Sequence, residues 1–261
     1  MRFDVITLFP ELFAPFLTSG INRRAFETGA VDLKLWQLRD FADGAYRRVD
    51  DRPFGGGPGM VMLAEPLEQC LSAIRQDRSL QTPEKPQVPV VLFSPIGQTL
   101  NHSAVESWSQ SDGAILICGR YEGLDQRFID AHVNVQISLG DFVLSGGEIA
   151  AIALLDAVAR LQPGVLNDEG SHQMDSFNPA LDGLLDCGHY TRPETWNEQT
   201  VPSVLMSGHH ADIAKWRRQQ SLALTHKHRP DLIESARAMG KLSAKDEHFL
   251  VQYSNSSTRN T

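Results

Sequence analysis

Residues 137–161 read ISLGDFVLSGGEIAAIALLDAVARL, and this stretch decides the fold class. Its first residues end an apolar run that starts at Val133, which is typical of a buried strand. A glycine-bearing loop follows, and then a long apolar segment stopped by Pro163 and Gly164. A strand, a loop and a helix in this order predict an α/β domain.

The helix of this stretch is predicted to begin at Ser145 and to end near Leu161. Ser145 followed by Glu148 matches a capping box, in which each side chain satisfies an unpaired backbone donor of the first turn. This pattern predicts a structural role for Glu148. Asp156 and Arg160 lie four residues apart, a spacing typical of a weak helix ion pair.

Four other short apolar runs, at residues 3–8, 32–37, 88–93 and 114–118, are also predicted strands, so we expect a mainly parallel sheet. The runs 88–93, 114–118 and 133–138 each lead into a polar, glycine-bearing segment: SPIGQ, GRYEG and LGDFVLSGGE. Because ligands of open α/β sheets bind at the carboxyl ends of strands, these segments predict one pocket. Glu122 in GRYEG suits a positive amino or sulfonium group, although a plain polar turn explains the pattern equally well.

The segment DDRPFGGGPGM, residues 50–60, contains three consecutive glycines beside two acids and an arginine. Glycines let a flat or anionic ligand approach the backbone, and a carboxylate can accept from a base edge. A flexible surface turn would have the same composition. No GK[ST] and no GxGxxG pattern is present here, which disfavours a kinase or an NAD enzyme.

The sequence pattern changes after the predicted helix. Residues 164–183 are turn-rich and acidic, which indicates a linker that also acts as a lid. Residues 211–225 and 230–239 are predicted helices, and Ser243 with Asp246 resembles a capping box that opens a last one. We therefore expect a sheet domain over residues 1–163, a flexible linker over 164–190 and a small all-helical domain over 191–261.

Composition limits the possible functions. A net charge of −8 speaks against a general nucleic-acid binder. Five basic residues and no acid lie between Ile213 and Pro230, although a basic run of this kind taken alone more often indicates a solvated helix face. Three scattered cysteines predict neither a disulfide framework nor a zinc site. No apolar stretch is long enough to span a membrane. These features predict a cytoplasmic protein with no membrane or DNA partner.

Several motifs occur together and in order: TLFPELF, VDDRPFGGGPGMVM, FSPIGQ, CGRYEGLDQR, ISLGDFVLSGGEIAAIALLDAVARLQPGVL, DSF, GLLDCGHYTRPE and VPSVLMSGHH. In their order and spacing they closely resemble the bacterial tRNA (guanine-N1)-methyltransferase family over nearly the whole chain. The resemblance implies a deep trefoil knot in the cofactor domain and a homodimer with each active site at the subunit interface. It also implies S-adenosylmethionine as methyl donor and, as substrate, the tRNA guanosine just 3′ of the anticodon. A magnesium dependence is suggested, but no ligand set locates the ion and no metal-binding residue is assigned.

The resemblance also assigns roles to residues of this chain. Asp175 in DSF aligns with the catalytic base and Arg160 with the catalytic arginine. The segment between Phe177 and Gly183 is longer than in many members, so Asp168 and Asp182 remain alternative candidates. The cofactor residues would be Phe93, Ser94, Pro95, Gly119, Tyr121, Glu122, Gly123, Ser138, Leu139, Gly140, Asp141, Phe142, Val143, Leu144, Gly146 and Gly147. The substrate residues would be Asp50, Arg52, Gly55, Gly56, Gly57, Lys215, Arg217 and Arg218.

Two other functions compete with this interpretation. One is a non-catalytic RNA-binding dimer that keeps the fold, against which the presence of Asp175, Arg160 and all three glycine-bearing segments argues. The other is a small-molecule methyltransferase, which leaves the basic stretch between Lys215 and Arg229 unexplained.

Overall fold

A computed structural model of the chain describes residues 1–81, 87–166 and 171–257. Its contacts divide the chain into two compact units, Met1–Asn167 and Asp168–Thr261. The strands are β1 (Arg2–Thr7), β2 (Asp32–Gln37), β3 (Asp50–Asp51), β4 (Val61–Met62), β5 (Val90–Thr99), β6 (Gly113–Ile117), β7 (Val135–Ser138), β8 (Thr195–Trp196) and β9 (Gln199–Thr200). The helices are α1 (Ala14–Thr18), α2 (Gly20–Glu27), α3 (Ala64–Gln81), α4 (His102–Ser109), α5 (Gln126–His132), α6 (Glu148–Arg160), α7 (Ser203–Met206), α8 (His210–His228), α9 (Pro230–Ala238) and α10 (Ala244–Ser257).

The first unit is built on a five-stranded sheet with the order β2-β1-β6-β5-β7. Every pair of neighbours in it is parallel, so the mainly parallel α/β sheet predicted from the sequence is confirmed. Parallel strands need crossover connections, and the helices between the strands supply them.

Both faces of this sheet are covered, because successive side chains of a strand point to opposite sides. Phe3 and Val5 of β1 pack in one apolar cluster together with Leu154 of α6. Ile6 of β1 packs in the other cluster, together with Leu67 of α3. Burial on both faces explains why the strands read as continuous apolar runs and do not alternate.

The third predicted strand differs from expectation, because β5 does not end at Phe93. Phe93 and Gln98 both pair with Ile137 of β7, so residues 94–97 bulge out of the strand before pairing resumes. At Gly97 a Cβ would lie 2.5 Å from the backbone of Gln136. The glycine lets the chain return to the sheet, which a hydropathy pattern does not reveal.

The predicted capping box at Ser145 is wrong. Helix α6 begins at Glu148 with Gly147 as N-cap, and no side chain caps it. The Glu148 carboxylate turns inward, where Thr7 donates a hydrogen bond to it at 2.8 Å and Arg120 forms an ion pair at 2.9 Å. A charged guanidinium is a stronger partner for this buried carboxylate than a neutral backbone N–H.

The second unit contains the helices that the sequence predicts, as α8, α9 and α10. The capping box before α10 is confirmed, because the Ser243 N–H donates to the Asp246 carboxylate and the Asp246 N–H donates to the Ser243 hydroxyl. The unit is not all-helical, since β8 and β9 form a short antiparallel hairpin. Among the helices of the described residues, none is both long and apolar enough to cross a membrane.

Candidate active site

A cavity of about 420 Å³ lies in the first unit where β6 and β7 end and β5 bulges. Three segments line most of it, at residues 92–96, 119–124 and 136–147. These are the glycine-bearing segments that the sequence places in one pocket, and the structure brings them together. All the predicted cofactor residues line the cavity except Asp141, which is exposed on the loop nearby. Its volume is in the range of small-molecule sites.

The floor of the cavity requires glycine. Gly147 donates from its N–H to the Gly119 carbonyl at 3.0 Å, so the two loops touch through their backbones. A Cβ at Gly147 would lie 2.8 Å from the Cα of Cys118, and one at Gly146 would lie 2.2 Å from Nε of Arg120. The paired glycines therefore allow the start of α6 to approach the end of β6 closely.

Arg120 joins the walls of the cavity, although it is not among the site residues predicted from the sequence. One guanidinium nitrogen donates to the Ser145 carbonyl at 3.1 Å, and another pairs with Glu148, which is 1 % exposed. The guanidinium also lies over the ring of Phe9, 4.5 Å from its centroid. An arginine between glycines directly after a buried strand is the signal that could have identified it.

The glycine-rich stretch 50–60 meets the cavity segment 119–124 through Gly59 and Met60. β3 and β4 form a short hairpin, and the Met62 N–H donates to the Gly123 carbonyl at 2.9 Å. The Glu122 N–H donates to the Met60 carbonyl at 2.9 Å, and a Cβ at Gly59 would overlap the Glu122 side chain. Substrate and cofactor segments that the sequence predicts separately are thus hydrogen-bonded neighbours.

The predicted substrate residues of the first unit lie in β3 and in the turn that joins it to β4. Gly55, Gly56 and Gly57 all have positive φ angles and open space around them, in an exposed turn. Asp50 is half-buried in β3, and Arg52 is exposed. Their role in binding the substrate stays a prediction.

The two predicted catalytic residues belong to different units. Arg160 is the last residue of α6 in the first unit, and it is half-buried. Asp175 is half-buried in the second unit, just after a single helical turn at Ser171–Met174. Asp156 accepts a hydrogen bond from Asn22, and its predicted ion pair with Arg160 stays a prediction.

Of the alternative bases, Asp168 lies outside the described residues. Asp182 is described, and its carboxylate forms an ion pair with Arg218 at 2.8 Å. The choice of Asp175 as the base stays a prediction that rests on the resemblance.

The basic residues of α8 differ in their surroundings. Lys215 and Arg217 are exposed, whereas the Arg218 side chain is 26 % exposed and pairs with both Asp182 and Asp246. Of these three predicted contacts with the substrate, only the first two present a charge that faces solvent.

Neither a metal centre nor a reactive thiol accompanies the cavity. In the part of the chain that the structure describes, no group of three His, Cys, Asp or Glu side chains could hold a metal ion. The three cysteines are free and buried. Burial raises the pKa of the Cys118 thiol, which lies behind the cavity floor, and so keeps it protonated and inert.

Comparison with known proteins gives evidence about the family to which the chain belongs. The family model described as tRNA (Guanine-1)-methyltransferase TrmD matches residues 1–235. A protein named tRNA (guanine-N(1)-)-methyltransferase from a Polaromonas species is 71 % identical over 251 residues, covering 96 % of both chains. Proteins of the same name are 69 % identical in Paracidovorax citrulli, covering 97 % of this chain and 98 % of theirs, and 54 % identical in Bordetella pertussis, covering 96 % and 97 %.

Proposed function

Because the chain belongs to the tRNA (guanine-1)-methyltransferase family, we propose that it transfers a methyl group from S-adenosylmethionine to a guanine of tRNA. The acceptor atom is N1 of the guanosine immediately 3′ of the anticodon, at tRNA position 37. The observation that supports this proposal best is that the three glycine-bearing segments line the same cavity.

The cavity fits the methyl donor by shape and by chemistry. Gly119, Gly146 and Gly147 line the cavity, and no side chain projects into it from these three positions, where a flat adenine or ribose can lie. The exposed carboxylate of Glu122 at the rim complements a positive amino or sulfonium group. When bound, S-adenosylmethionine supplies an electrophilic methyl group and needs no redox partner.

Asp175 and Arg160 are proposed to act on the guanine. N1 carries a proton and is a poor nucleophile, so Asp175 takes that proton as general base. Negative charge then develops toward the neighbouring carbonyl oxygen of the base, and the Arg160 guanidinium stabilises it. The remaining contribution of the protein is to hold donor and acceptor in line.

The tRNA is proposed to contact both units. Asp50, Arg52 and the glycine turn Gly55–Gly57 line the guanosine side. On α8 the exposed charges of Lys215 and Arg217 suit phosphate groups, while Arg218, predicted as a third phosphate contact, already pairs with two carboxylates.

We further propose a cytoplasmic homodimer with its active site at the subunit interface. Large apolar side chains around the cavity support this, since Val143 is 85 % exposed and Ile96 is 82 % exposed. Exposed apolar patches of this kind mark interaction surfaces. The trefoil knot and the magnesium dependence implied by the family are part of the same proposal.

Methyl transfer to unmodified tRNA transcripts tests the proposed function. Labelled S-adenosylmethionine is supplied with a transcript that carries guanosine at position 37 and with one that carries adenosine there. We expect label only on the first, at guanine N1. Donor and tRNA binding without transfer would favour the non-catalytic RNA-binding dimer, and transfer without dependence on tRNA would favour a small-molecule enzyme.

A further inference from the structure

The loop that carries Asp175 is closed on itself. Two residues after Asp175, the Phe177 N–H donates to the Leu184 carbonyl at 2.8 Å. The Asp186 N–H donates to the Ser176 hydroxyl at 2.9 Å. The side chain of Asn178 donates to the His172 carbonyl at 3.0 Å. Residues 172–187, which we call the base loop, are therefore cross-linked by hydrogen bonds on both sides of Asp175.

The base loop is also fastened to α8 of its own unit. Leu184 is fully buried and packs with Leu222 in the core of the second unit. The Leu185 N–H donates to the Thr225 hydroxyl at 3.0 Å, and the Ser221 hydroxyl donates to the Leu185 carbonyl. Both backbone polar groups of one residue of the loop are thus bonded to the same helix.

A third attachment is ionic and runs through Arg218. Its guanidinium donates twice to Asp246 at the start of α10, at 3.1 Å each, and pairs with Asp182 of the base loop at 2.8 Å. Asp182 follows the helical turn Pro179–Leu181 and has a left-handed backbone, with φ of 59°. This turn lies in the stretch between Phe177 and Gly183.

These contacts leave Arg218 poorly suited to bind RNA. Two carboxylates already share its charge, and a third anion would be repelled by both. Its side chain is mostly buried, whereas Lys215 and Arg217 on the same helix are exposed.

We propose that Arg218 is a positioning residue, which holds the base loop on α8 through Asp182 so that the RNA-binding unit carries Asp175. This rests on the proposed function, in which Asp175 is the general base. Its consequence is that RNA recognition and delivery of the base both reside in the second unit, while the first unit holds the methyl donor.

Kinetics of the full-length enzyme test this proposal. Arg218→Gln and Asp182→Asn are measured for single-turnover methyl transfer, for tRNA dissociation constants at several salt concentrations, and for donor affinity. Arg237→Gln is the matched control, because it breaks a similar bidentate ion pair with Glu247 away from the loop. We expect both test variants to lower the single-turnover rate about tenfold or more. Donor affinity, tRNA affinity and salt slope should stay at the wild-type values.

A double-mutant comparison distinguishes positioning of Asp175 from a purely structural role, because only positioning predicts non-additive effects of Arg218→Gln and Asp175→Asn on the single-turnover rate. If Arg218 acts through Asp175, Arg218→Gln should cost little further rate in an Asp175→Asn background. Should Arg218→Gln fail to fold, Asp182→Asn carries the same test, since it keeps the pair between Arg218 and Asp246.

Three results would overturn the proposal. Weaker tRNA binding with a shallower salt slope would make Arg218 a phosphate contact. A rate equal to that of Arg237→Gln would make its pairing merely structural, and additive losses would separate it from Asp175. Failure of the proposed function is distinct, because the wild-type enzyme would then transfer no methyl group to tRNA. A wild-type rate in Asp175→Asn alone would overturn only the assignment of Asp175 as the base.

Discussion

Gly59 shows how a single hydrogen atom in place of a side chain shapes the site. A Cβ at this position would lie 2.3 Å from Oε1 and 2.5 Å from Cγ of Glu122, so the Glu122 side chain could not keep its place. The φ angle of Gly59 is 83°, which other residues adopt only with strain. The glycine thus holds the hairpin against the rim of the cavity.

We expect Gly59→Ala to weaken S-adenosylmethionine binding about tenfold. The displaced Glu122 carboxylate would lose its proposed hydrogen bond to the amino group of the donor, and one charged hydrogen bond contributes about 1.5 kcal/mol. Isothermal titration calorimetry measures this directly. Gly55→Ala is the matched control, since Gly55 has a similar φ of 86° but nothing within 4 Å of its Cβ position. Equal affinities for the two variants would show that the position of Glu122 does not matter for binding.

Asp246 is a residue whose ionisation should affect stability. Burial alone would raise the pKa of its carboxyl, but hydrogen bonds from Arg218 and Ser243 more than offset this, and the pKa is lowered. A carboxyl with a depressed folded-state pKa stabilises the protein above its unfolded pKa of about 4 and loses that contribution as pH falls through the folded value.

Accordingly, Asp246→Asn should reduce the free energy of unfolding by about 1–3 kcal/mol at pH 7, through loss of the cap and the ion pair. The difference from wild type should shrink as pH falls below about 4. Urea unfolding of both proteins at pH 7 and at a pH of about 3.5 measures it. A difference that is independent of pH would contradict an ionised Asp246 in the folded state.

At the scale of elements, the start of α6 and the end of β6 are held together by Arg120 and Glu148. The two residues lie on segments that are distant in sequence, and their ion pair joins the segments that form the cavity wall. Thr7 at the end of β1 adds a third segment. The cavity is therefore kept in shape by the ion pair of Arg120 with the buried Glu148 as well as by backbone contacts.

Removing the charge of Glu148 should leave the Arg120 guanidinium, on a side chain that is 17 % exposed, without its counter-ion. Glu148→Gln is expected to cost about 1.5–3 kcal/mol of stability and to weaken donor binding. Glu68→Gln, at a side chain that is 63 % exposed in α3, is the control for loss of a carboxylate charge. Denaturant unfolding measures the free energy of unfolding of both variants, and calorimetric titration measures their affinity for the donor. Equal values for Glu148→Gln and Glu68→Gln would show that the ion pair does not support the cavity.

Most elements of the first unit were predictable because burial of strands leaves a direct pattern in the sequence. Residues 114–118 overlap the fully buried β6, and the three predicted glycine-bearing segments do form one cavity. The start of α6 was not predictable, because Ser145 and Glu148 match a local capping pattern. Glu148 instead takes Arg120 as its partner, from a segment well before it in the chain, which no local pattern reveals.

For the whole molecule, the net charge of −8 conceals a local concentration of positive charge on α8. The exposed Lys215 and Arg217 lie on this helix. Electrostatic attraction to RNA depends on this local arrangement more than on the sum.

Lys215→Ala and Arg217→Ala together should therefore weaken tRNA binding and flatten its dependence on salt. The slope of log K against log salt should fall by about 0.7–0.9 for each phosphate group that is no longer neutralised. Filter binding at several salt concentrations gives the slope, and Lys245→Ala, an exposed lysine of α10, serves as control. An unchanged slope would remove α8 from the RNA-binding surface.

The sequence predicted less about the second unit, for a physical reason. Residues 164–183 show no apolar period, and together with the residues up to 190 they were interpreted as a flexible linker. In the structure Leu184 is buried, and Leu185 is bonded to α8 through both its N–H and its carbonyl. A segment attached by a few backbone bonds and one ion pair leaves no periodic pattern, whereas helices and buried strands do.

Hydrogen–deuterium exchange of the enzyme with and without S-adenosylmethionine tests the central claim, that the three glycine-bearing segments hold the methyl donor. We predict slower exchange on binding in peptides that cover residues 93–96, 119–123 and 138–147, and no change in peptides that cover α9 and α10. Protection elsewhere, with these three segments unchanged, would contradict the claim.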